Sequence, residues 1–127
     1  MGDLGGFKVT KMKKIEAIIR KSRFEDVKDA LLEADIEWFS YYDVRGVGKT
    51  RQERIYRGQV YDTSYIERIM LILFVRDINV EKTVKAILDK AQSGEIGDGR
   101  IFISPIEDSI RIRTGERGDI SLYDAKK

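Results

Sequence analysis

A chain of 127 residues, 42% apolar and 36% charged, fits one globular domain, large enough for a core and small enough to gain from self-association. Its 24 basic and 22 acidic side chains leave a net charge of +2, too balanced for general nucleic-acid binding, although a pI of about 8.8 leaves room for a local basic patch. With neither cysteine nor histidine, disulfides, thiolate zinc sites, cysteine nucleophiles and Ser-His-Asp triads are all excluded. No apolar run of about 18 residues and no signal segment occurs, so a cytoplasmic protein without a membrane span of its own is expected.

Residues 1–11 hold three glycines and no periodicity, and read as a loose leader before an ordered domain over 12–115. Lys13-Lys14-Ile15-Glu16-Ala17-Ile18-Ile19-Arg20 is β-branched and partly alternating, a strand. Ser22 stands as the cap of a helix with Phe24, Val27, Ala30, Leu31 and Ala34 on one face, and Glu25 follows at capping-box spacing. Residues 36–45, with Trp38, Phe39, Tyr41 and Tyr42, form a second strand. From Gly46 to Glu67 the chain is polar and aperiodic. Irregular chain of that length is uncommon inside a compact domain. It reads as a functional loop, or as a hairpin extension in which Ile55, Tyr56 and Arg57 pair with Val60 and Tyr61 across Gly58.

Ile69-Met70-Leu71-Ile72-Leu73-Phe74-Val75 does not alternate, so as a strand it needs cover on both faces. Two helices cover one face, and a second copy of the chain is the natural cover for the other; a buried helix is the competing reading. Asn79 then caps a helix with Val80, Val84, Ile87, Leu88 and Ala91 on one face, closed by Gly94. Ile101–Ile103 is a strand, Pro105 interrupts it, and Ile106–Arg113 resumes pairing. Residues 116–127 form a Gly- and charge-rich tail, able to fold over a neighbour. The order β-α-β-β-α-β is the ferredoxin-like plan, an α+β antiparallel sheet with both helices on one face.

The stretch Ser93-Gly94-Glu95-Ile96-Gly97-Asp98-Gly99-Arg100-Ile101-Phe102-Ile103 carries the chemistry. Its glycines allow positive φ and close backbone approach to an anion, and Arg100 adds a planar cationic fork. Arg111 and Arg113, two residues apart on the expected last strand, point to one side. The plain alternative is a glycine-rich turn beside ordinary surface arginines, and by composition alone it is the weightier of the two.

These segments together resemble the PII signal-transduction family of nitrogen-regulatory proteins, over Met12 to Gly115. Ser93–Ile103 matches the family's Ser/Thr, three residues, Gly-Asp/Tyr-Gly-Lys/Arg-Ile/Val-Phe pattern at every position. Arg111-Ile112-Arg113-Thr114-Gly115, Lys13–Ile19 and Val44-Arg45-Gly46-Val47-Gly48 match further family segments, the last leading into its large surface T-loop, here about 46–67. The resemblance implies a homotrimer binding ATP or ADP in three clefts between subunits, with 2-oxoglutarate held beside ATP through Mg²⁺. It places Gly97, Asp98, Gly99 and Arg100 at the phosphates, joined by Arg111 and Arg113. Gly46, Gly48 and Phe74 join the nucleotide set, Ser40 lies near the adenine, and Arg68 replaces a family lysine facing phosphate and 2-oxoglutarate. Thr50 replaces the family glutamine that holds Mg²⁺ and 2-oxoglutarate, with Gln52 as its substitute if the gap falls elsewhere. Tyr56-Arg57-Gly58-Gln59-Val60-Tyr61 departs at two positions from the family's modifiable motif. Tyr61 aligns with the modified tyrosine, and Arg51, Arg54 and Arg57 give the loop cationic reach. Implied partners are an ammonium transporter, which would bring the protein to the inner face of the membrane, and enzymes of nitrogen assimilation.

Two other functions share parts of this pattern. An RRM-like RNA-binding sheet would stack bases on Phe102, Tyr41 and Phe39, but its aromatic strand signature is missing. A nucleotide-acting enzyme would depend on Asp98 or Glu95 as base, and each is more simply a turn residue. The expectation is a sensor and not an enzyme, with no nucleic-acid partner.

Overall fold

Alternation along the first strand sets the layering: Ile15, Ala17 and Ile19 are buried, whereas Lys14, Glu16 and Ile18 are only half-buried. The computed structural model describes residues 11–36, 38–47, 54–56, 59–61 and 65–122. In chain order the elements are β1 (Met12–Arg20), α1 (Phe24–Glu33), β2 (Ser40–Val47), β3 (Arg54–Tyr56), β4 (Gln59–Tyr61), β5 (Tyr65–Arg76), α2 (Val80–Ala91) and β6 (Gly99–Pro105). Four strands form an antiparallel sheet in the order β2-β5-β1-β6, and β3 and β4 form a separate hairpin. This is the ferredoxin-like plan.

Both helices lie on the buried side of the sheet. α1 contributes Phe24, Val27 and Leu31, and α2 contributes Thr83, Ala86, Ile87 and Ala91. From β5 the same layer receives Ile69, Leu71, Leu73 and Val75. Leu31, Leu71 and Leu73 have no exposed surface at all. Truncating a side chain in such a place leaves a cavity as well as losing transfer energy. The uniformly apolar run on β5 thus divides into two faces. Met70 and Ile72 point away from the helices and are half-buried, and Phe74 is 50% exposed.

The helix boundaries depart from expectation for local reasons. Ser22 does not cap α1, because residues Lys21–Arg23 wind a 3-10 turn that makes Arg23 the N-cap, with no side-chain cap bond. Asn79 is the N-cap of α2 but caps with no side-chain bond. Its carbonyl instead accepts the hydroxyl proton of buried Thr83 at 2.7 Å, which satisfies that hydroxyl inside the core. Thr83 and Ala86 therefore belong to the buried face, and Leu88 does not, being 46% exposed. Leu88 therefore falls outside the contact with the sheet.

The second strand begins at Ser40 and not at Ile36. At the end of α1, Asp35 takes φ 65°, its amide donates to Leu32 (3.0 Å) and the Ile36 amide donates to Leu31 (2.9 Å). This double closure of the helix satisfies the last carbonyls and drops Ile36 into the core, so the strand starts later. In the expected loop, Ile55 pairs with Val60 and Tyr56 with Gln59, as in the hairpin alternative, and β5 begins at Tyr65, before the loop was expected to end. Arg57 and Gly58 lie outside the described residues, as do residues 1–10.

The expected last strand does not form. Beyond Pro105 the only strand pairing among the described residues is an isolated bridge, Ile110 to Arg117, and residues 112–114 are a turn closed by the Gly115 amide donating to the Arg111 carbonyl at 2.7 Å. A period-two pattern of arginines carries no strand when Gly115, at φ 78°, lets the chain reverse at once. Arg111 and Arg113 accordingly do not share one side of a strand.

Gly99 opens β6 at φ 106°, and a Cβ there would lie 1.8 Å from the Ile18 carbonyl oxygen. Gly99→Ala therefore combines backbone strain with a clash against β1. It is expected to lower unfolding stability by about 2–4 kcal/mol in urea titration.

Candidate nucleotide site

Arg20 and Arg68 stand directly opposite each other where β1 pairs with β5, on the face away from the helices. Two neighbouring guanidiniums repel, and the turn between α2 and β6 supplies what holds them. Arg20 Nε donates to Asp98 Oδ1 (3.1 Å) and its Nη2 to the Ile96 carbonyl (3.0 Å). Arg68 Nη2 donates to the Gly97 carbonyl at 2.7 Å. A Cβ on Gly97, which has φ 99°, would sit 3.2 Å from Arg68 Nη2 and 3.4 Å from Arg20 Nη2, so a glycine lets the turn settle on both cations.

Asp98 closes the turn from within. It accepts hydrogen bonds from the Ser93 amide (2.7 Å), the Ser93 hydroxyl and the Gly94 amide (2.9 Å). The Ser93 oxygen in turn accepts from the Glu95 amide at 3.2 Å. The Ser93 hydroxyl and amide, with Arg20 and the Gly94 amide, hold the Asp98 carboxyl well below the usual carboxylate range. This carboxylate is committed to turn geometry, and none of its contacts suits a general base. Arg68 is only 8% exposed. Burial lowers its pKa, and the charge of Arg20 lowers it further while Asp98 opposes the shift; a guanidinium stays charged regardless. Arg20, Arg68 and Asp98 together carry one net positive charge. Arg100, exposed and opposite Ile18 at the start of β6, adds a further positive charge. Such a glycine turn with fixed arginines fits the polyphosphate expected there.

Arg20 was not among the sequence candidates. Only the strand register, which places it across from Arg68 and under Asp98, marks it.

The other candidates collect elsewhere. Ser40, Phe74 and Arg111 line an open groove of about 950 Å³ together with Trp38, Arg76 and Leu122. Phe74 lies six positions along β5 from Arg68, roughly 20 Å at strand spacing. One chain therefore brings Gly97, Asp98, Gly99 and Arg68 together at one end and Ser40, Phe74 and Arg111 at the other. Arg113 is exposed on the turn after Arg111. Gly46 lies near the end of β2, opposite Ile66. Arg54, Tyr56 and Tyr61 lie in the backbone of the hairpin, with Arg54 opposite Tyr61. Gly48, Thr50, Arg51 and Gln52 lie outside the described residues.

Of the three proposed base-stacking aromatics, only Phe102 faces the open side of the sheet. Tyr41 points to the helix side, its ring 4.4 Å from that of Phe24, and Phe39 packs against the core. No helix among the described residues is long and apolar enough to cross a membrane.

The family model described as nitrogen regulatory protein P-II matches residues 12–116. A nitrogen regulatory protein P-II from Microchaete diplosiphon is 44% identical over 107 residues, covering 84% of this chain and 96% of its own length. Among solved structures, Arabidopsis thaliana PII bound to citrate is 34% identical with a TM-score of 0.72, covering 94% of this chain and 96% of that one. A B. subtilis GlnK–ATP complex is 27% identical with a TM-score of 0.70, covering 87% of this chain and 97% of the other.

Because the folded pKa of Asp98 is depressed, its stabilisation is complete above the unfolded value of about 4 and is lost as pH falls from there toward the folded value. Asp98→Asn should lower the melting temperature at pH 7, and the gap to the parent should shrink below pH about 4. Melting curves across that range check both.

Proposed function

The chain belongs to the nitrogen regulatory protein P-II family, whose members are regulators and not enzymes, and we propose that it senses ATP and ADP in clefts between three copies of itself. The observation that carries this reading is the division of the candidate residues between two ends of β5, beside a sheet face on which Phe74 and Phe102 are exposed among the described residues. If a neighbouring copy lays its groove end against the glycine turn, that face is covered and the two halves become one site. The glycine turn with Arg68 and Arg100 then meets phosphates from one side, and Arg111 and Arg113 meet them from the other. Phe74 and Ser40 offer a ring and a hydroxyl suited to a nucleobase. The relation to an ATP-bound GlnK supports the choice of ligand.

No catalytic base is required, since binding alone is read out. Mg²⁺ would arrive on the phosphates, with Thr50 or Gln52 lending an oxygen, and would give 2-oxoglutarate its place beside ATP. The β3–β4 hairpin, which lies between β2 and β5 in chain order, is the arm by which nucleotide state reaches a partner. An ammonium transporter at the inner face of the membrane and enzymes of nitrogen assimilation are the partners proposed. Arg54, Tyr56 and Tyr61 are the proposed contact or modification residues.

Calorimetry with ATP and ADP, each with and without Mg²⁺ and 2-oxoglutarate, tests the reading. ATP should bind, and Arg100→Ala should weaken it about tenfold, the worth of one charge-assisted phosphate contact. Absence of heat with ATP, or an Arg100→Ala variant with parental affinity, would overturn it. Light scattering should return a mass of three chains, and Phe74→Asp should shift it toward one.

A further inference from the structure

Arg111 and Arg76 are engaged by the chain that follows them. After β6 the backbone folds back on itself, with the Gly118 amide donating to the Ser109 carbonyl at 2.9 Å. Asp108 fastens the fold-back, accepting from Arg117 Nε (3.0 Å), Arg117 Nη2 (2.8 Å) and the Gly118 amide (3.1 Å). Residues 116–122 then run beside the groove. Glu116 Oε1 lies 3.1 Å from Arg111 Nη1, and Arg111 Nη2 donates to the carbonyls of Ile120 (3.2 Å) and Ser121 (3.5 Å). Asp119 Oδ2 accepts from Arg76 Nε at 3.2 Å. Ser121 and Leu122 form part of the groove wall next to Ser40 and Phe74.

We propose that residues 116–122 are an intramolecular strap whose Glu116 and Asp119 occupy the arginines of the groove, so that a polyphosphate has to displace it in order to engage Arg111. This rests on the nucleotide reading above and adds a regulatory step to it. A carboxylate and two carbonyls offer one guanidinium the kind of oxygens that a phosphate would offer. The contacts are also the exchangeable kind: the side chains of Arg111 and Glu116 are 20% and 41% exposed, and exposed ion pairs are individually weak. Of the strap's two apolar residues, Ile120 is 40% exposed and Leu122 is half-buried, so neither is sealed into the core. Freeing Arg111 costs the same whichever ligand does it, so the strap lowers by a common factor the affinity of every ligand that engages Arg111 and spares one that binds without it.

The test uses the full chain and its Glu116→Gln/Asp119→Asn double variant, titrated calorimetrically with ATP and AMP, with hydrogen exchange followed over residues 116–122. Releasing both ion pairs should tighten ATP binding about three- to tenfold and raise AMP affinity by no larger a factor. In the parent, ATP should speed exchange in the strap. Parental affinities in the double variant, weaker ATP binding, or an exchange rate in the parent that ATP leaves unchanged or slows would each overturn the strap while leaving nucleotide sensing intact. Absence of ATP binding by the parent would overturn both.

Discussion

Two like charges placed face to face on adjacent strands, and one carboxylate brought in to hold them, form the constraint on which this molecule is arranged. Arg20 and Arg68 are a cross-strand pair, an arrangement that is unfavourable on its own. Asp98 and the carbonyls of Ile96 and Gly97 turn that liability into an anchor, tying the α2–β6 turn to the end of the β1–β5 pair. The Ser93–Asp98 bonds close the turn from the helix side, so its shape is determined before any ligand arrives. Preorganisation of this kind lowers the ordering cost of binding an anion. It also explains why glycine is required at 97 and 99: at one the two guanidiniums lie against the backbone, and at the other β1 itself does.

The same sheet that carries the anchor leaves a second requirement unmet. Its helix side is sealed by α1 and α2, while its other side presents Met70, Ile72, Phe74, Tyr42 and Phe102. An apolar sheet face of this extent is normally an interface. On the proposed trimer the interface and the ligand site are one feature, since covering the face is also what would bring the groove arginines to the glycine turn. Assembly and sensing would then be inseparable: a ligand placed at the seam touches two chains and can bias both. The strap inferred from the fold-back after β6 would add a competitor for the ligand at that seam.

Much of the fold was legible because it depends on short-range pattern. Lys13–Arg20 reads as a strand by β-branching and partial alternation, and Val27 and Leu31 mark a helix face through a 3.6-residue period; both are observed. The readings that failed did so where a local backbone bond outcompeted composition. Aromatic residues after Ile36 suggested an earlier strand, but the closure of α1 through Asp35 consumed those positions. The arginines at 111 and 113 suggested a strand, but a glycine-permitted reversal replaced it. Leu88 looked like core from its helical spacing with Val84, Ile87 and Ala91, yet the helix turned Thr83 inward, its hydroxyl satisfied by the Asn79 carbonyl.

Taken alone, the sequence determined the order of the elements, the apolar faces that build the core and the glycine turn between α2 and β6, because each of these is set by the period and steric range of neighbouring residues. It also carried the family, through short motifs in the right order. Tertiary structure decided which residues meet: that Arg20 joins Arg68 at Asp98, that the candidate nucleotide residues fall at two ends of one strand, and that the chain after Arg111 returns to hold it. These depend on strand register and on chain reversals, where a shift of one residue moves every side chain to the opposite face. No local pattern specifies that choice; it is settled by which arrangement buries the apolar layer while leaving each buried polar group with a partner.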